Sequence, residues 1–532
     1  MSGTVLEPPP VETQSAPDPE PGGHQIDLSL LEDRVPEQWK STRRLTACVA
    51  LLGIVFFVFC VRPLWHTDLW GHLAYGKLIA TLRALPSTEP LMPLAKGVPV
   101  IDTAWLSQLI GYGTVTTLGL AGLQGLSAIA ITLCSAVLLH RTLNRTRSLS
   151  FAMLAVIAFL WLDWAQLAVV RPQLAGLVCF LVLLHRTTSR QPRMFDWWLI
   201  PSLFIAWANL HGSFIFGVCW LLMMTAGRAI DLLRRTGSVR SLTHDVAVRR
   251  LLLWSELAAV AALINPYGIA LYGEALRFGS YGNLASLTEW QVLDVRGLHG
   301  KVFLATTVML VCLYRFTPRR VASWEALSLV GLSLATLTSA RFIVWWSPVA
   351  ALLLATHARA AVHRWWPWTP TVPPSPRTGK WSLVTAGLAW IFFAYSPMGM
   401  RLMHHREPSP ERALSSFTPI AAVSYLKEHP PRGQVFNTYE WGDYLQWAGP
   451  EGVQVFVNSH AHVVPRDVWL HYMQVVEEAD GWADILDRYG VNTILLDHLN
   501  RSSLIKKLKD DAKWKIGYDD KQAIVFLRRK PI

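Results

Sequence analysis

The sequence predicts a mainly α-helical, polytopic membrane protein: a transmembrane bundle of about ten to twelve helices, then a soluble C-terminal α/β domain. Three observations predict this class. Hydrophobic residues make up 52% of the 532 residues and charged residues only 16%, which is too little polar surface to cover a soluble globule. Apolar runs recur between residues 45 and 399, and they stop after His404. A soluble enzyme and a coiled coil are therefore disfavoured.

The N-terminal segment, residues 1–42, is predicted to be a disordered, acidic and proline-rich tail. It holds eight acidic residues against two basic ones and few apolar residues, so it cannot bury enough surface to offset the entropy of ordering. The rest of the chain carries the basic excess. These basic residues punctuate apolar runs instead of clustering on a soluble face, which is typical of cytoplasmic loops and argues against nucleic-acid binding.

The transmembrane domain is predicted to span residues 43–403. Its first apolar run follows Lys40, Arg43 and Arg44, which should hold the start of that run in the cytoplasm. The large loop 65–103 is then extracytoplasmic. The apolar runs are 45–61, 103–139 (two spans joined near Gly119), 149–163, 172–185, 197–227 (broken near His211), 251–273, 302–314, 323–340, 342–358 and 381–399.

The soluble domain is predicted to span residues 404–532. Its alternating pattern indicates five strands at 434–437, 454–458, 492–497, 514–519 and 523–528. The intervening helices are predicted at 419–428, 440–447, 465–478, 482–489 and 501–510. We expect this domain to lie on the extracytoplasmic side.

Several polar residues interrupt the apolar runs, where burying them is costly. Arg171, His211 and Arg341 are among them, and together they suggest a polar cavity inside the bundle. Arg171 and Arg341 are the best candidates for holding a phosphate group, because a guanidinium stays charged and presents forked donors. Pairing between helices is the structural alternative.

The loop after the first helix holds the strongest candidate for chemistry. Asp68 and His72 are spaced i, i+4, and both lie among tryptophans. A carboxylate at this position suits a general base for an acceptor hydroxyl. His66, Asp68 and His72 are also the right residue types for a divalent cation, although no strong metal site is evident. A third interpretation is an interfacial helix with a solvated carboxylate.

Short motifs along residues 45–530 resemble the GT-C superfamily of membrane glycosyltransferases, in particular an uncharacterised bacterial branch related to the protein O-mannosyltransferases. The matching patterns are Asp68-x-Trp70-x-His72-Leu73-x-x-Gly76, Pro86-x-x-Glu89-Pro90, Val170-Arg171-Pro172-Gln173, Trp207-Ala208-Asn209-Leu210-His211-Gly212, Asn265-Pro266-Tyr267-Gly268, Glu289-Trp290 and Phe436-Asn437-x-Tyr439-x-Trp441-Gly442-x-Tyr444-Leu445.

This resemblance implies an inverting transfer of a sugar from a polyprenyl-phosphate donor to a glycan, lipid or protein acceptor outside the cytoplasm. Asp68 matches the position of the family's base, and Glu89 or Asp102 could assist it or help to hold a metal. A multi-pass protein of the bacterial inner membrane is implied. Two departures stand out: His66 replaces an acid that the branch often has, and Asn458-Ser459-His460 replaces an acidic-Gly-Arg pattern.

Two other functions remain open at the level of the sequence. A transporter or flippase of a lipid-linked or sugar substrate would also use intramembrane arginines and broken helices. A non-catalytic scaffold of a polysaccharide-assembly complex would use the α/β domain for docking. The sequence leaves the sugar, the acceptor and any cofactor unspecified.

Overall fold

A computed structural model describes residues 34–189, 191–367 and 376–532. Most of the predicted disordered tail, residues 1–33, lies outside the described residues. The bundle is helical, and the chain ends in an α/β domain, as the sequence predicts. The main helices of the bundle are Arg43–Cys60, Leu69–Leu82, Trp105–Thr146, Leu149–Leu162, Gln173–Thr187, Asp196–Leu210, Phe214–Thr236, Val246–Ala261, Ala270–Arg277, Leu298–Phe316, Ser323–Thr338, Ile343–Trp365, Gly379–Ala394 and Pro397–His404.

In the described part of the chain, five helices are long and apolar enough to cross a membrane. The number rises to six if Gly379–Ala394 and Pro397–His404, which are bent by 85° at their junction, form one broken span. Leu149–Leu162 and Gln173–Thr187 are shorter apolar helices. The count of ten to twelve crossings and the boundaries at 42/43 and 403/404 stay predictions.

The breaks in the apolar runs fall where the backbone leaves helical geometry. Gly119 interrupts the helix Trp105–Thr146 with φ 68°, a conformation that glycine adopts without steric cost. His211 is extended, with φ −166°, between Asp196–Leu210 and Phe214–Thr236. The run predicted over 251–273 is not one span. The helix ends at Ala261, and Asn265 holds a turn by accepting a hydrogen bond from Tyr267 N at 2.7 Å.

Arginines gather at one end of the bundle. Arg141 donates to Thr188 Oγ1 at 2.8 Å, so the basic segments 141–147 and 186–193 lie at the same end. Arg145 pairs with Glu325 at 2.7 Å near the start of Ser323–Thr338, and the opposite end of that helix leads into Arg341. A helix of that length spans roughly 24 Å. The arginine-rich end is therefore separated from Arg341 by the depth of the bundle.

The C-terminal domain is a five-stranded sheet of order β2-β1-β3-β5-β4. The strands are β1 Gln434–Asn437, β2 Gln454–Val455, β3 Val491–Asp497, β4 Trp514–Asp519 and β5 Ala523–Arg528. Strand β1 pairs in parallel with β2 and β3, and β5 pairs antiparallel with β3 and β4. The helices are Ile420–Glu428, Tyr439–Ala448, Arg466–Val476, Trp482–Arg488 and Ser502–Asp510. Strand and helix positions agree with the sequence prediction, except that β2 is shorter.

The domain docks directly onto the loop that follows the first helix. The rings of Trp70 and Tyr444 meet edge to face at 5.1 Å, and Leu64 N donates to the carbonyl of Ala413 at 2.7 Å. Trp70 and Leu73 belong to the same apolar core as the sheet residues. This shared core fixes the α/β domain over one end of the bundle.

Candidate active site

A cavity of about 590 Å³ lies between the bundle and the α/β domain, a size in the range of small-molecule sites. Its walls come from the loop after the first helix, the segment 100–104, the starts of four bundle helices, the segment 275–290 and the α/β domain. Six of the residues that the sequence singled out line it: Asp68, His72, Asp102, Arg171, His211 and Arg341. The fold thus brings together residues that are 273 positions apart.

Four charged side chains form a continuous row across the cavity. Arg171 Nε lies 2.5 Å from Asp68 Oδ2, and Arg171 Nη1 lies 2.7 Å from Glu289 Oε2. Arg341 Nη1 pairs with the other carboxylate oxygen of Glu289, and its guanidinium lies 5.0 Å from the centre of the Trp290 ring. The order Asp68–Arg171–Glu289–Arg341 alternates in charge, so each buried ion has an opposite neighbour.

The backbone at Asp68 has an unusual conformation. It precedes the helix Leu69–Leu82 with φ 40°, a region that non-glycine residues rarely enter. Burial by itself would raise the pKa of Asp68, but the charges of Arg171 and Arg341 and of nearby His460 hold it below its ordinary value. Asp68 is therefore ionised at neutral pH, and it is not the solvated carboxylate of an interfacial helix.

Asp102 and His72 share one hydrogen-bonding partner. Gln108 Nε2 donates to Asp102 Oδ1 at 3.1 Å and lies 3.3 Å from His72 Nδ1. Asp102 Oδ1 also accepts from Ala104 N at 2.9 Å, whereas its Oδ2 is buried without a hydrogen-bond partner. Burial raises the pKa of Asp102 to about 6. Asp102 is thus a second carboxyl group in the wall of the cavity, with one oxygen that has no hydrogen-bond partner.

One sequence candidate, Glu89, lies in different surroundings from those expected. Glu89 is buried but does not line the cavity. Its carboxylate accepts hydrogen bonds from Tyr75 Oη at 2.5 Å, Leu91 N at 2.7 Å and Met92 N at 2.9 Å. These contacts make Glu89 an organiser of the loop, because both of its oxygens accept hydrogen bonds from loop and helix groups and the residue does not line the cavity.

The cation interpretation of His66, Asp68 and His72 does not match the geometry. His66 packs between Trp65 and Phe417, with ring centroids 4.8 and 5.7 Å away, and its Nδ1 faces Ser415. Within the residues that the structure describes, no group of three or more His, Cys, Asp or Glu side chains is placed to hold a metal ion.

No protein-family model and no curated protein sequence matches the chain. The search of solved structures does find matches. ArnT from Cupriavidus metallidurans bound to undecaprenyl phosphate superposes with a TM-score of 0.52 at 11% identity, covering 91% of this chain and 97% of ArnT. The apo form of ArnT gives 0.51 at 13% identity with the same coverage. The apo oligosaccharyltransferase of Archaeoglobus fulgidus gives 0.50 at 11% identity, covering 86% of this chain and 69% of that one.

The chain has a GT-C-like fold, which it shares with ArnT and with the archaeal oligosaccharyltransferase. The agreement with ArnT extends over 91% of the chain. At these identities, the likeness concerns the fold. The chemistry has to be argued from the residues themselves.

Residues of the α/β domain complete the cavity. His460 and His462 line it, and the His460 ring lies 5.1 Å from His72 and 4.8 Å from Tyr75. Asp443 Oδ1 lies 3.9 Å from His460 Nδ1. The sequence could not place these residues beside Asp68, because nothing local indicates which strand ends face the bundle.

One wall of the cavity is apolar. Phe216 stacks on Trp345 at 5.1 Å and lies 5.2 Å from Phe342, and all three rings line the cavity. Leu276 also lines it and is 67% exposed at the surface of the bundle. The cavity therefore combines the charged row with an aromatic wall, and at Leu276 its lining reaches the exposed surface.

Proposed function

We propose that the protein is a membrane glycosyltransferase that moves a sugar from a polyprenyl-phosphate donor to an acceptor outside the cytoplasm, with inversion. The observation that carries the proposal is the pair of half-buried arginines next to an ionised aspartate, in a cavity with an aromatic wall. The GT-C fold supports this kind of chemistry. The ArnT structure with undecaprenyl phosphate supports a lipid-phosphate donor.

In the proposed reaction, an acceptor hydroxyl attacks the anomeric carbon of the donor. The new bond forms between the acceptor oxygen and that carbon, while the bond from the carbon to the phosphate oxygen breaks and its electron pair stays on the phosphate. Asp68 takes the hydroxyl proton and later releases it to water. A general base held within reach of the reacting proton contributes about 10²–10⁴-fold to the rate.

Arg171 and Arg341 would hold the phosphate of the donor. Both guanidinium groups line the cavity, and each bonds the same carboxylate, so they are spaced to share one anion. Forked guanidinium donors suit phosphate oxygens, and they would stabilise the charge that the phosphate gains when the sugar leaves. The aromatic wall of Phe216, Phe342 and Trp345 would accommodate the first isoprene units.

The distribution of arginines supports the proposed orientation. The basic segments 141–147 and 186–193 meet at the end of the bundle that lies opposite Arg341. Lys and Arg near membrane ends mark the cytoplasmic side. The cavity and the α/β domain would then be extracytoplasmic, and for a bacterial protein the membrane would be the inner one.

Purified full-length protein incubated with a radiolabelled polyprenyl-phosphate sugar tests the proposal. We expect release or transfer of the sugar by the wild type, and loss of at least about 100-fold in Asp68→Asn. Thermal unfolding of the variant should stay close to that of the wild type, and the variant should still bind undecaprenyl phosphate. Flux of labelled lipid across vesicles without transfer would favour a transporter, and undiminished transfer by Asp68→Asn would exclude Asp68 as the base.

A further inference from the structure

Glu289 has no task in the proposed reaction, yet it occupies the centre of the charged row. Its Oε2 lies 2.7 Å from Arg171 Nη1, and its Oε1 pairs with Arg341 Nη1. One carboxylate thus uses both guanidinium groups that the proposed function assigns to phosphate. A phosphate at the same place would find its donors already engaged.

The charges that line the cavity show why a phosphate could not simply join the intact row. Arg171 and Arg341 are the only Lys or Arg side chains among the residues lining the cavity, and Asp68 and Glu289 already balance them. Burial lowers the pKa of His72, and it lowers the pKa of His462 to about 3, so these imidazoles add no positive charge at neutral pH. A phosphate added to the intact row would be a buried anion without a counter-ion, which is strongly unfavourable.

We propose that Glu289 is the stand-in for the donor phosphate: its carboxylate bridges Arg171 and Arg341 in this structure, and an incoming phosphate ester displaces it from both. This inference rests on the proposed function and adds a residue that sets its selectivity for the anion. The exchange makes and breaks no covalent bond. It replaces one carboxylate by a phosphate ester of equal or greater negative charge, the diester of the donor or the monoester of undecaprenyl phosphate, so a neutral lipid gains nothing from entering.

Glu289 is better suited to leave than Asp68. Asp68 has a short side chain, and its backbone forms the N-cap of the helix Leu69–Leu82. Glu289 sits on a single 3-10 turn, Thr288–Trp290, and its side chain is 24% exposed, against 17% for Asp68. The carbonyl of Glu289 is held by Ser339 Oγ at 3.3 Å. The side chain can therefore swing out while the turn stays in place.

The test is the affinity of the full-length protein in detergent for undecaprenyl phosphate, measured at mildly alkaline pH. Glu289→Gln keeps the shape but lacks the competing charge, so we expect it to bind about tenfold more tightly than the wild type. Glu440→Gln is the matched control, because Glu440 lines the same cavity and pairs with neither arginine. Its affinity should stay within about twofold of the wild type.

Glu289→Asp provides a second variant if the first one unfolds, because it keeps the charge but shortens the reach to the two arginines. We expect its affinity to lie between those of the wild type and Glu289→Gln. Binding by the wild type that neither substitution tightens would overturn the stand-in role while leaving the proposed function intact. No binding by any of the proteins would overturn the proposed function and this inference with it.

Discussion

Arg171 holds the carboxylate of Asp68 at 2.5 Å and reaches Glu289 with another nitrogen of the same guanidinium. One residue therefore connects the proposed base to the proposed phosphate site. A donor phosphate that draws on Arg171 would weaken its hold on Asp68 and make Asp68 a stronger base. This coupling would link proton acceptance to the presence of donor.

The first prediction concerns the pH dependence of transfer. Charges on Arg171 and Arg341 hold the pKa of Asp68 below its ordinary value, so the base stays ionised well into the acid range. Of the two arginines, Arg171 lowers the pKa of Asp68 more strongly. The pKa of Asp68 should therefore rise in Arg171→Gln. The acid limb of the transfer rate against pH should therefore move to higher pH. An acid limb that keeps its position in this variant would mean that Asp68 is not the titrating base.

The second prediction concerns the donor. Arg341→Lys keeps the charge but loses the forked donors, so its affinity for undecaprenyl phosphate should fall by about tenfold or more. Arg277→Lys is the matched control, because Arg277 is exposed at the end of the helix Ala270–Arg277 and does not line the cavity. Equal losses in both variants would count against a specific role for Arg341.

The third prediction separates Glu89 from catalysis. Glu89→Ala leaves the Leu91 and Met92 amides without their acceptor, at a cost of about 1–3 kcal/mol for each group that stays buried and unpaired. We expect a lower unfolding temperature, with transfer reduced only as far as less folded protein is present. A large loss of turnover in protein that unfolds at the wild-type temperature would restore Glu89 as a catalytic candidate.

The fourth prediction concerns Asp443, whose side chain is fully buried. Burial raises its pKa from 3.8 to about 7, although Ser459 lowers it; the nearby Asp68 adds a smaller upward push. The folded state then binds a proton that the unfolded chain has lost. Stability from this site is present below about pH 4 and falls as pH rises towards 7, by at most about 1.4 kcal/mol per pH unit.

Asp443→Asn removes this titration. The unfolding temperature of the wild type, relative to the variant, should decline as pH rises from mildly acidic to neutral. Asp510→Asn, at the exposed end of Ser502–Asp510, serves as the control and should follow the wild type. Wild-type and Asp443→Asn curves that run parallel across this range would contradict the assignment.

The fifth prediction tests the packing that positions the loop. A Cβ at Gly76 would collide with the carbonyl oxygen of Gln108, whereas one at Gly113 would meet nothing within 4 Å. Gly76→Ala should cost about 1–3 kcal/mol through overpacking and shift Gln108 away from Asp102. Gly113→Ala should leave thermal stability unchanged or slightly improved, because alanine favours helix. Equal stability of the two variants would argue against this close approach.

The sequence by itself determined the class of protein, the apolar runs and most elements of the α/β domain. These features depend on composition and on local periodicity, which a single segment contains. It also indicated Asp68, Arg171 and Arg341, because an ionisable group within or beside an apolar run needs a reason to be there. At Asn265-Pro266-Tyr267-Gly268 the sequence indicates a break in the run 251–273, and the structure shows that the Asn265 side chain holds the turn there.

Only the tertiary structure decided which of these groups meet. Asp68, Arg171, Glu289 and Arg341 form one row because four distant segments converge at the same end of the bundle. Glu89 accepts hydrogen bonds from loop amides instead of lining the cavity, and His460 of the α/β domain lines the cavity. Spacing along the chain cannot reveal these outcomes, because partners of buried charges are chosen by packing between elements rather than by neighbours in the sequence.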